Sequence, residues 1–149
     1  MTINCNGKLI DLTSPKVMGI LNITPNSFFD GGKYADENSI LQQVEKMLVD
    51  GATFIDVGAY SSKPNAEFVS EDEEIERLLT VIELILKNLP ETLISVDTFR
   101  ANVAKKAIEN GACIVNDISA GNLDKNMMET VAKLQVPYIM MHMKGNPQT

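Results

Sequence analysis

Apolar residues along this chain gather into short runs, and each run ends in a polar residue before the chain breaks into a loop. VMGIL runs into Asn22, TFI into Asp56, TLISV into Asp97, CIV into Asn116 and YIMM into His142. The runs have strand length, and most of the stretches between them are long enough for a helix. A buried polar group without a partner costs roughly 1–3 kcal/mol. Polar residues placed at the carboxyl ends of buried strands therefore gather hydrogen-bonding groups on one rim of a parallel sheet. That rim is where βα folds carry their binding sites.

The first fifteen residues alternate weakly around Asn6-Gly7, which predicts a hairpin over one end of the domain. Strand one spans Val17 to Leu21, and a long loop follows from Asn22 to about Asp36. The next helix sets Ile40, Leu41, Val44, Met47 and Leu48 on one face and stops at Gly51. Strand two is Phe54 to Val57, and a second long loop runs from Gly58 to Val69. Ser70 and Glu73 form a capping box, and Glu71 to Glu74 read as a solvated acidic first turn. Ile75, Leu78, Leu79, Ile82 and Leu86 carry that helix to Asn88 and Pro90. Strand three is Leu93 to Val96, with a helix from about Arg100 to Asn110. Strand four is Ile114 to Asn116, a last helix lies near Asp124 to Leu134, and strand five is Tyr138 to Met141. Gly51-Ala52-x-x-Ile55-Asp56 echoes Gly111-Ala112-x-x-Val115-Asn116, a repeated helix end, turn and strand.

The order is (βα)₄β in an α/β chain, with right-handed crossovers and a parallel sheet. A doubly wound sheet is the first alternative, but no G-x-G-x-x-G follows the first strand. A closed (βα)₈ barrel typically takes about 250 residues. The 149 residues here are enough for one domain and roughly the first half of such a barrel. The hydrophobic content of 44% suits a globular core, and the net charge of −7 argues against nucleic acid or a membrane surface as partner. No run of about 18 apolar residues or secretion signal is present, so a cytoplasmic location is expected. Cys5 and Cys113 have no paired spacing and read as two reduced thiols.

Met18-Gly-Ile-Leu-Asn-Ile-Thr-Pro-Asn-Ser-Phe-Phe-Asp-Gly-Gly32 resembles the signature of the dihydropteroate synthase family, whose usual form reads M-G-I-L-N-V-T-P-D-S-F-S-D-G-G. Asp56-Val-Gly-Ala-Tyr-Ser-Ser-Lys-Pro64, Ile94-Ser-Val-Asp-Thr98, Val115-Asn-Asp-Ile118 and Met141-His-Met-Lys-Gly-Asn-Pro147 agree with the family in its order. The resemblance implies a TIM-type (βα)₈ barrel that condenses a dihydropterin-methyl diphosphate with p-aminobenzoate and releases diphosphate. It implies that Asp97 and Asn116 hold the pterin, with Met141 as apolar contact, and that Asn22 coordinates Mg²⁺ on the diphosphate. Asn22 and Asp97 are thus the catalytic candidates. Ser62 would meet the substrate, and Phe28, Lys63 and Pro64 would surround the aminobenzoate, where sulfonamides bind. A carboxylate suits a pterin because it can accept two N–H bonds from an amidine-like edge.

The chain departs from the family pattern at Asn26 in TPD, at Phe29 in SDGG, and across G-E-S-T-R-P, which reads Ala59-Tyr60-Ser61-Ser62-Lys63-Pro64. Lys63 keeps a charge but lacks the planar fork of arginine. The changes leave the pterin slot alone and fall on the aminobenzoate side. The family's later aspartate, S-R-K lysine and Arg-x-His anion site have no counterpart before Thr149, so the chain is expected to be the N-terminal half. An open half-barrel would expose an edge at strand five and an apolar face, favouring a homodimer, a swap or a longer product.

Read without the family, Asp97 or Thr98 could cap the helix near Arg100, and Asn116 could be a satisfied strand-end amide. Asp56 and Asp117 read as structural hydrogen-bonding groups, and His142 as a structural, hydrogen-bonded residue. Met127, Met128, Met140 and Met143 read as core and rim packing. The rival functions are a pterin-dependent methyltransferase domain and a non-catalytic half-barrel scaffold.

Overall fold

The computed structural model describes residues 1–23, 37–59 and 68–145, with the backbone alone at 28–29 and 33–34. Strands β1 (Thr2–Cys5) and β2 (Lys8–Asp11) pair antiparallel about Asn6 and Gly7. Both turn residues have positive φ, 54° and 85°, which a two-residue hairpin with the natural strand twist requires. The Asn6 side chain donates to the Gly111 carbonyl at 3.0 Å and ties this hairpin to the amino-terminal end of the main sheet.

After β3 (Val17–Asn22), the expected long loop carries a small antiparallel pair, β4 (Phe28–Phe29) and β5 (Lys33–Tyr34). The chain continues through α1 (Glu37–Val49), β6 (Ala52–Gly58), α2 (Glu71–Asn88), β7 (Leu93–Asp97), α3 (Ala101–Glu109), β8 (Ile114–Asp117), α4 (Met127–Leu134) and β9 (Tyr138–Met140). Strands β3, β6, β7, β8 and β9 form one parallel sheet in that order. A doubly wound sheet would reverse its strand order at a switch point. This order never reverses, so the winding is that of a barrel wall.

Side chains alternate across a strand, so each strand serves two compartments. Leu21, Ile55, Val57, Ile94, Val96 and Val115 face the helices and pack with Val44, Leu78, Val81, Ile82, Ala104 and Ala107. Among the described residues, the opposite, concave face is covered by a second cluster at its amino-terminal end. There Phe54, Ile114, Leu93 and Met18 pack on Cys5, Ile10 and Cys113. The two cysteines, distant in sequence, meet in this small cluster as free thiols. Gly51 and Gly111 both sit at φ 114°, so the sequence echo is also a conformational one.

Several element ends shift by one to three residues from the sequence reading, and those of α4 and β9 have a visible cause. Helix α4 starts at Met127 rather than near Asp124, because the Asp124 carboxylate accepts from Asn126 N at 2.9 Å and from Ala101 N at 2.7 Å. Asp124 thereby satisfies an open amide at the start of α3. Strand β9 ends at Met140, and Met141 continues with one backbone bond to Asp117 O.

The acidic turn of α2 is only partly solvated. Ser70 accepts from Glu73 N at 3.2 Å, but the Glu73 carboxylate pairs with Arg77. The buried stripe runs Glu74, Leu78, Val81, Ile82 and Ile85, so Glu74 lies on the apolar side and is fully buried. Its Oε1 accepts from Arg100 Nη1 at 3.0 Å, and Arg100 lies 5.8 Å from the Phe68 ring centre and 5.2 Å from that of Phe99. Burial pushes the Glu74 carboxyl up, while Thr98 and Arg100 counter that rise. Removing one member of such a pair strands the other charge. Arg100→Ala is expected to destabilise the chain by about 3 kcal/mol in urea unfolding; a loss below about 1 kcal/mol would mean that the pair is solvent-screened.

Candidate functional site

Strand pairing aligns Asn22 with Gly58, Gly58 with Asp97, and Asp97 with Asn116, so one row crosses four strands at their carboxyl ends. Residues paired in a parallel sheet point to the same side, and two residues further back on each strand the same side recurs. Asp56 and Ser95 therefore lie one layer below this row on the concave face. The Asn116 amide nitrogen donates to Asp56 Oδ2 at 3.0 Å, which joins the two layers.

Glycine at position 58 makes room for Asp97. A Cβ there would lie 3.2 Å from both Asp97 Cβ and Oδ2. Asp97 is half-buried, and its carboxylate accepts no hydrogen bond from another described residue. Burial, then the charges of Asp56, Glu74 and Asp117, push its pKa up to about 7. Burial also raises Asp56, with Ser95 and Asn116 offsetting part of the effect. The row thus sets the Asp97 carboxylate in a negative field, an arrangement that suits an edge offering N–H groups.

Asp97 and Asn116 come together as the sequence predicts, and Asn22 joins the same row, exposed at the rim. Met141 is also exposed at the rim, just past β9. Ser62, Lys63 and Pro64, with the departures at Asn26 and Tyr60, lie outside the described residues. Phe28 and Phe29 are described by backbone alone, in β4. The helix-cap alternative holds for neither residue: α3 has Arg100 at its N-cap with no capping side chain, and the Thr98 Oγ1 accepts from Arg100 N at 3.1 Å in the turn before it. Asp117 is structural as read. It accepts from Ser119 N and Oγ, from Gly121 N at 2.8 Å and from the Tyr138 hydroxyl at 2.6 Å. His142 departs from expectation: it is exposed and makes no hydrogen bond to a described residue.

Sequence reasoning passed over Gly58 and read Asp56 as a structural hydrogen-bonding group, which its bond to Asn116 fits. The signal for Asp56 was its place among the five strand-end polar residues. A separate open cavity of about 480 Å³, bounded by Lys8, Ile10, Leu48, Pro90 and Leu93, lies at the amino-terminal end of the sheet, away from the row. Among the described residues no three histidine, cysteine or acidic side chains cluster to hold a metal. No helix among them is long and apolar enough to cross a membrane.

Residues 18–149 match the model of the family described as pterin binding enzyme. The chain is 45% identical over 149 residues to dihydropteroate synthase of Haemophilus influenzae, covering 100% of this chain and 54% of that protein. It is 52% identical over 135 residues to the mitochondrial folate synthesis bifunctional protein of Arabidopsis thaliana, covering 89% of this chain and 24% of that one. The structure of Yersinia pestis dihydropteroate synthase with a sulfonamide drug superposes with TM-score 0.85 at 40% identity, covering 99% of this chain and 53% of the other. The Xanthomonas albilineans enzyme with 4-aminobenzoic acid superposes with TM-score 0.84 at 34% identity, covering 97% and 53%. The chain spans about half the length of the dihydropteroate synthases it matches, and its sheet is a partial barrel of their kind. By the extent of that match and the agreement of its fold, this chain belongs to the pterin-binding enzyme family.

Proposed function

We propose that this chain forms the pterin-holding half of a dihydropteroate synthase, which joins a dihydropterin-methyl diphosphate to p-aminobenzoate and releases diphosphate. The observation that carries the reading is the Asp97 carboxylate, which no other described residue engages, beside Asn116 on the concave rim in a chain of this family. A solved relative from Xanthomonas albilineans is described in complex with 7,8-dihydropteroate, which supports the choice of ligand.

Asp97 would accept two N–H bonds from the pterin edge, and the negative field around it favours a donor-rich ring over an acceptor-rich one. Met141 would give the ring an apolar wall. Ser62, Lys63, Pro64 and Phe28 would belong to the aminobenzoate side, by resemblance. The arylamine is a neutral nucleophile, so the reaction needs no covalent enzyme intermediate. Holding the ring in place and excluding competing orientations is then the contribution of this half.

Asn22 offers a hard amide oxygen at the exposed rim, engaged by no described side chain, which fits a single protein ligand to Mg²⁺. Bound there with phosphate oxygens and water, the ion would offset charge on the departing diphosphate. The proposal extends to a cytoplasmic protein, which the two free thiols support. It also extends to a homodimer. Ile20 is 61% exposed and Ile139 41% exposed on the concave face, and β3 and β9 are the two outer strands of the sheet. Sedimentation velocity is expected to give twice the chain mass, and a strictly monomeric species removes the dimer.

Asp97→Ala is expected to lower pterin affinity by about 100-fold or more in calorimetric titration, as two charge-assisted bonds are lost. Unaltered affinity would place the ring elsewhere. The same carboxyl should govern stability. Its pKa rises from 3.8 in the unfolded reference to about 7, so the folded chain keeps a proton that the unfolded chain has released. Stability is therefore full below the unfolded value and falls as pH rises toward about 7. Asp97→Asn should flatten that decline in thermal melts recorded across the range, and an identical slope in the variant would assign it to other carboxyls.

A further inference from the structure

We infer that Asp56 is a positioning residue: it grips the nitrogen end of the Asn116 side chain and so fixes the amide with its Oδ1 toward the bound ring. The inference rests on the pterin reading for its ligand and on this chain's own geometry for the lock.

Asp56 is 3% exposed, in the layer beneath the site row. Among the described residues its hydrogen bond of good geometry is the one from Asn116 Nδ2 to Oδ2, at 3.0 Å. Its other oxygen, Oδ1, meets no partner in ordinary hydrogen-bond geometry among them, and the nearby Ser95 hydroxyl gives the carboxylate a second, less regular contact. Asp117 is the contrast. Both of its oxygens are committed to Ser119, Gly121 and Tyr138, as a loop-building carboxylate should be. A carboxylate so deeply buried, its desolvation only partly offset, is poorly explained as a fold staple. It is well explained as the means of orienting that partner.

The orientation has chemical content. An asparagine amide presents N–H₂ or C=O according to a half-turn about one bond, and an exposed amide samples both. An ionised carboxylate only accepts, so turning the Asn116 amide over would set oxygen lone pairs against oxygen lone pairs. The Asn116 oxygen is therefore the end left for the ligand. Together with the Asp97 carboxyl on the adjoining strand, the site presents three acceptors and no donor from these two residues once Asp97 is ionised. Asp56 thus contributes to discrimination between ring edges without touching the ring.

The test is a double-mutant cycle with 7,8-dihydropterin as the probe, using wild type, Asp56→Asn, Asn116→Ala and the double variant. Asp56→Asn keeps the shape but lets the amide pair settle either way. Affinity should fall about tenfold in the wild-type background and by less than about twofold when Asn116 is already alanine. Equal losses in both backgrounds overturn the inference, since Asp56 would then act without Asn116. Thermal melts of each variant separate lost affinity from lost fold.

A ligand-free measurement keeps the two proposals apart. The Asn116 side-chain N–H₂ signals in ¹⁵N-labelled protein should be protected from exchange in wild type and lose that protection in Asp56→Ala. Protection without dihydropterin binding overturns the proposed function and supports the lock. Exchange as fast as that of an exposed amide in wild type overturns the lock, whatever the affinity.

Discussion

The period of two along a β-strand is the constraint on which this structure depends. Each strand gives one set of side chains to the helices and the other to the concave face, and parallel pairing lines these sets up from strand to strand. Asn22, Gly58, Asp97 and Asn116 share a row because four strands are paired in register near their carboxyl ends. A one-residue slip would turn Asp97 into the helix layer and bring Val96, which is fully buried, to the concave face. The same packing that stabilises the wall therefore also holds the site in alignment.

The two layers of carboxyl groups show how a fold can support an electrostatically unfavourable arrangement. Asp56, Asp97 and Glu74 all have pKa values displaced upward, with burial as the largest cause. Glu74 is answered by Arg100, and Asp56 by the Asn116 amide. Asp97 alone of the three has no answering group among the described residues, and it is the one that faces the open rim. Stored destabilisation of this kind is common where a ligand will supply the missing partner.

Much of the wall was legible in the sequence because apolar runs and helix faces are local patterns. Asn6-Gly7 announced its turn, and Asp97 and Asn116 stood out as polar breaks in apolar runs. The role of Glu74 was hidden because acidic residues in a first helical turn normally face water. Its position four residues before Leu78, seven before Val81 and eleven before Ile85 was the available clue. Asp124 was misread because its pattern fits a helix start, whereas its carboxylate serves the start of another helix. The link from Asp56 to Asn116 spans 60 residues and two strand spacings, and no local pattern encodes it. Gly58 was silent for a related reason: a missing side chain is informative only beside the neighbour it admits.

The hairpin at the other end of the sheet has its own consequence. Cys5 and Cys113 are buried where it seats, and burial leads the causes that raise both thiols, Cys113 to about 12. Thiols in that state hold almost no thiolate at neutral pH and are inert to alkylating reagents. Their reactivity would appear when the hairpin lifts, so this chain carries an internal chemical gauge of how firmly its lower end is shut.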